Sequence, residues 1–231
     1  KPVQPWVCAA EEPDLVTMKI FQPNSLLDIN PLISEQLNIF YRVSPMTSQQ
    51  FTKIVTAWRA WSEIFGIEGF TMALLNQLVW KTMHSLVPED ANTLYKSVAY
   101  VLAVLVSDNS ENIQKVLSII TEMVEKEIET MTSAIGLADF ALIIVCLKHE
   151  DWKSSFCWLL KYSIQMLTED PELQHPKSSF ALSLIKTSLH THRLQEIVTE
   201  EVFDILYTIQ DWKTMIDFFI VKHAVQEQST T

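Results

Sequence analysis

Three glycines, Gly66, Gly69 and Gly136, are all that this chain of 231 residues contains. A β-sheet protein of such length needs many more, because tight hairpins demand positive φ at their central positions. Helices need no glycine inside and can be joined through capping side chains and prolines. The scarcity of glycine therefore predicts an all-α fold before any periodicity is read.

The punctuation agrees. Asn30-Pro31 places a cap before a proline at the first helical position and predicts a helix to about Arg42. Ser44-Pro45-Met46-Thr47 stops it and caps the next helix, where Phe51, Ile54, Val55, Trp58, Trp61 and Phe65 follow the 3.6-residue period of one face. Gly66 and Gly69 are expected to bracket a turn into a third helix over about 70–86. Pro88-Glu89-Asp90 opens a fourth, whose SVAYVLAVLV is apolar nearly all round, as central helices are. The clearest amphipathic pattern follows: Ile113, Val116, Leu117, Ile120, Val124, Ile128 and Met131 on one side, with Glu122 and Lys126 spaced for an i,i+4 pair on the other. LADFALIIVCL after Gly136 suits buried helix or strand, and helical neighbours decide for helix. Further helices are expected at about 152–167, 178–191, 199–209 and 212–225, about ten in all, with a loop from Pro171 to Pro176. Residues 30–225 are read as a single helical domain and 226–231 as a disordered tail. Residues 1–29, with Pro2, Pro5, Pro13 and Pro23 among Trp6, Val7, Leu15, Ile20 and Phe21, are read as an extended arm packed on that domain.

Charge narrows the partners. Asp and Glu outnumber Lys and Arg 28 to 17, for a net charge of −11, and no basic cluster appears. Binding to phosphate backbones or anionic membrane surfaces requires the opposite. The longest apolar run, Leu137 to Leu147, contains Asp139 and is too short for a membrane span. Cys8, Cys146 and Cys157 are an odd, sparse set, which points to a reducing intracellular compartment, cytoplasm or nucleus. The chain opens on Lys1 rather than Met and is expected to be a piece of a larger protein.

ALIIVCLKHEDWKSSFCWLLKYSI, from Ala141, can be laid over EVFDILYTIQDWKTMIDFFIVKHA, from Glu201. Asp-Trp-Lys coincides at 151–153 and 211–213, and apolar pairs include Phe156/Ile216, Leu159/Phe219 and Leu160/Ile220. Each copy reads as a helix, a tight turn with aspartate as cap, and a second helix opened by tryptophan. In these two stretches the chain resembles the helix pairs of α-solenoid repeats, of the tetratricopeptide, pentatricopeptide and HEAT kind, without their full consensus. The resemblance implies antiparallel helix pairs stacked in a right-handed superhelix that binds other proteins along extended surfaces.

No reactive constellation stands out. His190 and His192 are two apart, which on a helix points them to different sides, and His149-Glu150-Asp151 has no second histidine at ligand spacing. Cys146 and Cys157 lie in apolar helical runs, where thiols are ordinarily inert. With no nucleophile elbow and too few glycines for a phosphate loop, the chain is expected not to be an enzyme and to need no cofactor or metal. The expected function is a protein–protein interaction scaffold or adaptor, with a protein partner in a stable hetero- or homo-oligomer. The alternatives are a regulatory or accessory helical domain of an enzyme and a closed bundle holding a lipid-like ligand. Candidate contacts are Trp58, Trp61 and Trp80, whose rings either anchor a partner or fill gaps between helices. Glu125 and Glu129 join them, from an acidic group (Glu122, Glu125, Glu127, Glu129) placed at a helix end where the macrodipole disfavours negative charge. A second acidic group comprises Glu196, Glu200, Glu201 and Asp204. Trp152 and Trp212 are read as sharing one packing role.

Overall fold

The computed structural model describes residues 29–42, 47–86, 88–146 and 151–229, which form eleven α-helices and no strand. In chain order these are α1 (Asn30–Arg42), α2 (Ser48–Phe65), α3 (Ile67–Ser85), α4 (Pro88–Val106), α5 (Ser110–Lys126) and α6 (Met131–Cys146). They continue with α7 (Trp152–Glu169), α8 (Pro176–His190), the single turn α9 (His192–Gln195), α10 (Glu200–Thr208) and α11 (Trp212–Ser229). The all-α expectation holds. The chain divides into two compact units, Lys1–Thr121 and Glu122–Thr231. The arm expected over 1–29 lies, except for the buried Ile29, outside the described residues, as does Cys8.

Side chains start the helices. Thr47 Oγ1 accepts the Gln50 amide at 3.2 Å while Gln50 Oε1 accepts the Thr47 amide at 2.9 Å, a reciprocal box that satisfies two donors no helical carbonyl can reach. Asn109 accepts from the amides of Glu111 and Asn112 at the start of α5. Asp170 accepts from the His175 amide at 2.8 Å and the Ser178 hydroxyl at 2.7 Å, tying the 170–175 loop to the start of α8.

In the first unit, α1 and α2 both pack against α3 and α4. Trp58 is wholly buried on α2 and donates its indole N–H to Gln36 Oε1 at 2.6 Å, so the buried amide oxygen of α1 has its partner. Its ring lies 5.9 Å from Phe40 and 5.7 Å from Phe70, joining three helices at one aromatic cluster. In the second unit α8 packs against α6, α7, α9 and α11, while α10 packs against α7 and α11. Phe140, Phe156 and Phe180 are buried there. Arg193 stacks its guanidinium 4.0 Å from the Trp152 ring centroid and donates to the Cys146 carbonyl, one of those left open at the end of α6.

Several boundaries move for local reasons. α3 begins at Ile67 rather than 70, because Gly66 alone makes the turn, at φ 78° and ψ 152°, and Gly69 sits inside the first helical turn. The amphipathic stretch expected to run to Met131 breaks at Lys126, because Thr130 accepts the Ser133 amide at 3.3 Å and starts α6. Glu127 and Glu129 therefore lie between helices, and Glu129 precedes the N-terminus of α6, where negative charge is favoured. α11 runs past 225 to Ser229, since Gln and Glu are good helix formers.

Three stability outcomes follow from this packing. The backbone of Gly66 lies in a region side chains rarely adopt, and a Cβ there meets nothing within 4 Å, so Gly66→Ala is expected to cost about 1–3 kcal/mol from backbone strain alone. Trp58→Ala is expected to cost about 3–5 kcal/mol through the cavity it leaves. Trp58→Phe should cost about 1–3 kcal/mol, because Gln36 loses its donor. Urea denaturation followed by circular dichroism measures all three.

Candidate interaction site

The last two helices carry the largest run of exposed apolar side chains among the described residues. α10 buries Val202, Ile205 and Leu206 and turns Glu201, Asp204, Tyr207 and Thr208 to solvent, at the three- and four-residue spacing of one helical face. It closes through Gln210, left-handed at φ 57°, with the Gln210 amide donating to the Tyr207 carbonyl and the Asp211 amide to that of Leu206. This double bond pattern satisfies carbonyls the helix leaves open. Asp211 then caps α11, its carboxylate accepting the Thr214 amide at 3.1 Å. The same carboxylate meets Lys186 of α8 at 2.9 Å, so the turn is pinned to the unit's central helix.

α11 is apolar on two sides. Thr214, Met215 and Phe218 are buried inward. Outward stand Trp212, Ile216, Phe219 and Ile220, at i, i+4, i+7 and i+8; the last three are 59%, 49% and 62% exposed. Tyr207 meets Trp212 edge-on at 5.7 Å, and Phe203 meets Phe219 at 5.1 Å, so the stripe continues onto α10. Beside it Glu201 and Asp204 form no ion pair among the described residues, whereas Glu200 is engaged by Lys222.

The 60-residue echo acquires a physical meaning here. Phe156, Leu159 and Leu160 are buried on α7, yet their matched positions Ile216, Phe219 and Ile220 are exposed on α11. Conversely, Ser154 and Trp158 are exposed on α7, while the matched Thr214 and Phe218 are buried. The two helices share an apolar pattern and bury different faces of it, overlapping at Ser155 and Met215. Their tryptophans differ accordingly: Trp152 is half-buried beneath Arg193, and Trp212 is exposed. The shared packing role expected for them is absent. Asp211 caps its helix through its side chain, and Asp151 makes no such bond.

The sequence candidates fall in different places. Trp58 and Trp61 meet Phe70 inside the first unit, so of their two readings the rings take the packing one. Trp80 is 58% exposed on α3, its ring edge-on to His84 at 5.1 Å. Glu125 and Glu129 are exposed in the second unit, and the Glu122–Lys126 pair forms at 2.8 Å. Glu125 lines a shallow depression with Val124, Ile128, His175, Pro176 and Lys177. Burial first, then the carboxylates of Glu125 and Glu169, pushes the nearby Tyr162 phenol above its ordinary value.

Reactive chemistry is sparse. Among the described residues no group of three His, Cys, Asp or Glu side chains is placed to hold a metal, and no helix is long and apolar enough to cross a membrane. Burial raises the Cys146 thiol above its usual range, against the pull of the Arg193 charge, so the thiolate is scarce. Comparison with protein-family models, curated proteins and solved structures finds no match.

Burial alone would raise the Asp211 carboxyl. The bonds from the Lys186 ammonium and from the Thr214 amide and hydroxyl outweigh it and hold the group below its ordinary 3.8. A carboxylate whose value is depressed on folding stabilises the fold above its unfolded value, and that contribution is lost as pH falls through the folded value. Asp211→Asn keeps the cap and loses the charge. Because Lys186 is nearly half exposed, the cost at pH 7 should be about 0.5–1 kcal/mol, shrinking with salt. The gap to wild type should persist down to pH 5 and close below 3.8, which urea titrations at each pH would show.

Proposed function

We propose that this chain is a non-catalytic protein-interaction module built of helix pairs, and that it binds a partner protein through the outer face of α11. The observation that carries this reading is the stripe of Tyr207, Trp212, Ile216, Phe219 and Ile220, all exposed and contiguous on one hairpin. Scattered apolar residues on a surface need no explanation, but a contiguous stripe bordered by charge is the usual mark of a contact surface. Its composition fits as well, since tryptophan and tyrosine carry disproportionate binding energy at the centre of interfaces. The helix is held in place by the Asp211 cap, its bridge to Lys186 and the inward Met215 and Phe218, so the face is presented by a preorganised element. The intracellular adaptor role expected from composition belongs to the same proposal.

Affinity purification of the whole chain from cells, compared with Ile216→Glu/Ile220→Glu, tests it. Both positions point to solvent, so the variant should keep the helical circular dichroism spectrum and change stability by no more than about 0.5 kcal/mol. It is expected to lose a partner that wild type retains. Trp80→Ala and Glu125→Lys/Glu129→Lys, placed elsewhere, should keep that partner. Retention of every partner by the α11 variant would remove the assignment.

A further inference from the structure

The echo between the two hairpins says what kind of element the exposed face accepts. On α7 the matched face, Phe156, Leu159 and Leu160, is buried, and the helix packed most extensively along α7 is α8. Tyr162 of α7 meets Phe180 of α8 edge-on at 6.2 Å within that seam. α8 offers Phe180, Ala181, Leu184, Ile185 and Leu189 as its buried apolar side chains. Its lysines are Lys177 and Lys186, and it contains no acidic residue. Lys177 reaches Glu169 at 3.5 Å at the end of α7, and Lys186 reaches Asp211. The neighbour of the first hairpin is thus a helix with an apolar buried side and two lysines, one of which, Lys177, meets a carboxylate of that hairpin, Glu169.

The second hairpin has the same apolar positions and, along its α10 side, an acidic rim, with Glu201 and Asp204 exposed and unpaired among the described residues. Resting on the reading of this face as a partner surface, we infer that its occupant is an amphipathic helix of another protein, apolar on one side and basic along its flanks, seated along α11 as α8 is seated along α7. Helix-in-groove recognition uses anchors at i, i+3 or i+4, and i+7, and the outer face of α11 presents that spacing. A second copy of this chain is a poorer fit. With a net charge of −11, the chain would bring two acidic surfaces together at that seam. Opposite charge also predicts faster association and strong salt dependence.

A helix-constrained, fluorescently labelled peptide with the sequence of residues 176–190 serves as the probe, titrated by fluorescence anisotropy with the whole chain. Saturable binding is expected, weakened about tenfold or more by Ile216→Glu/Ile220→Glu and several-fold by Glu201→Lys/Asp204→Lys or by 0.5 M salt. A peptide carrying Lys177→Glu and Lys186→Glu should bind more weakly than the parent. The charge variant keeps the test decisive if the apolar one fails to fold, because Glu201 and Asp204 pack against nothing that holds the hairpin. Absence of binding overturns the inference, and so does binding that neither variant changes. Self-association abolished by Ile216→Glu/Ile220→Glu, read by analytical ultracentrifugation, overturns it in favour of a second copy. If the peptide fails while the α11 variant still loses a cellular partner, only the helical occupant is wrong. If both fail, the interaction reading falls with it.

Discussion

The second unit is organised by α8, which packs on α6, α7, α9 and α11 and contributes Phe180, Leu184, Ile185 and Leu189 to the core. Both of its ends are fixed by ionised carboxylates. Asp170 accepts from the Ser178 hydroxyl and the His175 amide at its start, and Asp211 accepts from Lys186 in its last turns. Burial would raise Asp170, but those hydrogen bonds, with the Gln174 amide and His175 nearby, hold it below its ordinary value. The Asp211 contact ties the start of α11 to α8, and with the inward Met215 and Phe218 it sets which side of α11 faces water. The candidate surface is a by-product of how α8 is held.

Much of this architecture was legible in the sequence because helices announce their ends chemically. Thr47 with Gln50, Pro88 and Asp211 each mark a start that the structure realises. Glycine was legible only in part: Gly66 and Gly69 have the same covalent freedom, and only Gly66 takes positive φ. Thr130 was missed because the preceding apolar period runs smoothly through it, so one hydroxyl bond to Ser133 decides a break that periodicity does not show.

The site was less legible for a related reason. An apolar residue reports that it can be buried, not that it is. Trp58 and Trp80 are equally good anchors on paper, and only the positions of α1 and α4 put one in the core and leave the other in solvent. On α11 the pattern is apolar around most of the circumference, so no preferred face can be read from it. The echo with α7 did contain the signal, because a helix already carrying one buried seam repeated the apolar positions of another. Recognising it required knowing which seam α11 uses.

A helix with two greasy sides and one neighbouring layer has an asymmetric hold on its place. α11 is retained through Thr214, Met215 and Phe218, against α8, α9 and α10, and nothing among the described residues clamps it from outside. Opening it breaks its own seam and leaves α6, α7 and α8 packed on one another, so its amides can exchange with solvent through partial opening rather than through collapse of the whole unit. Anything seated on the outer stripe closes that route. Its arrival would slow exchange at Thr214 and Phe218, on the side of the helix it never touches.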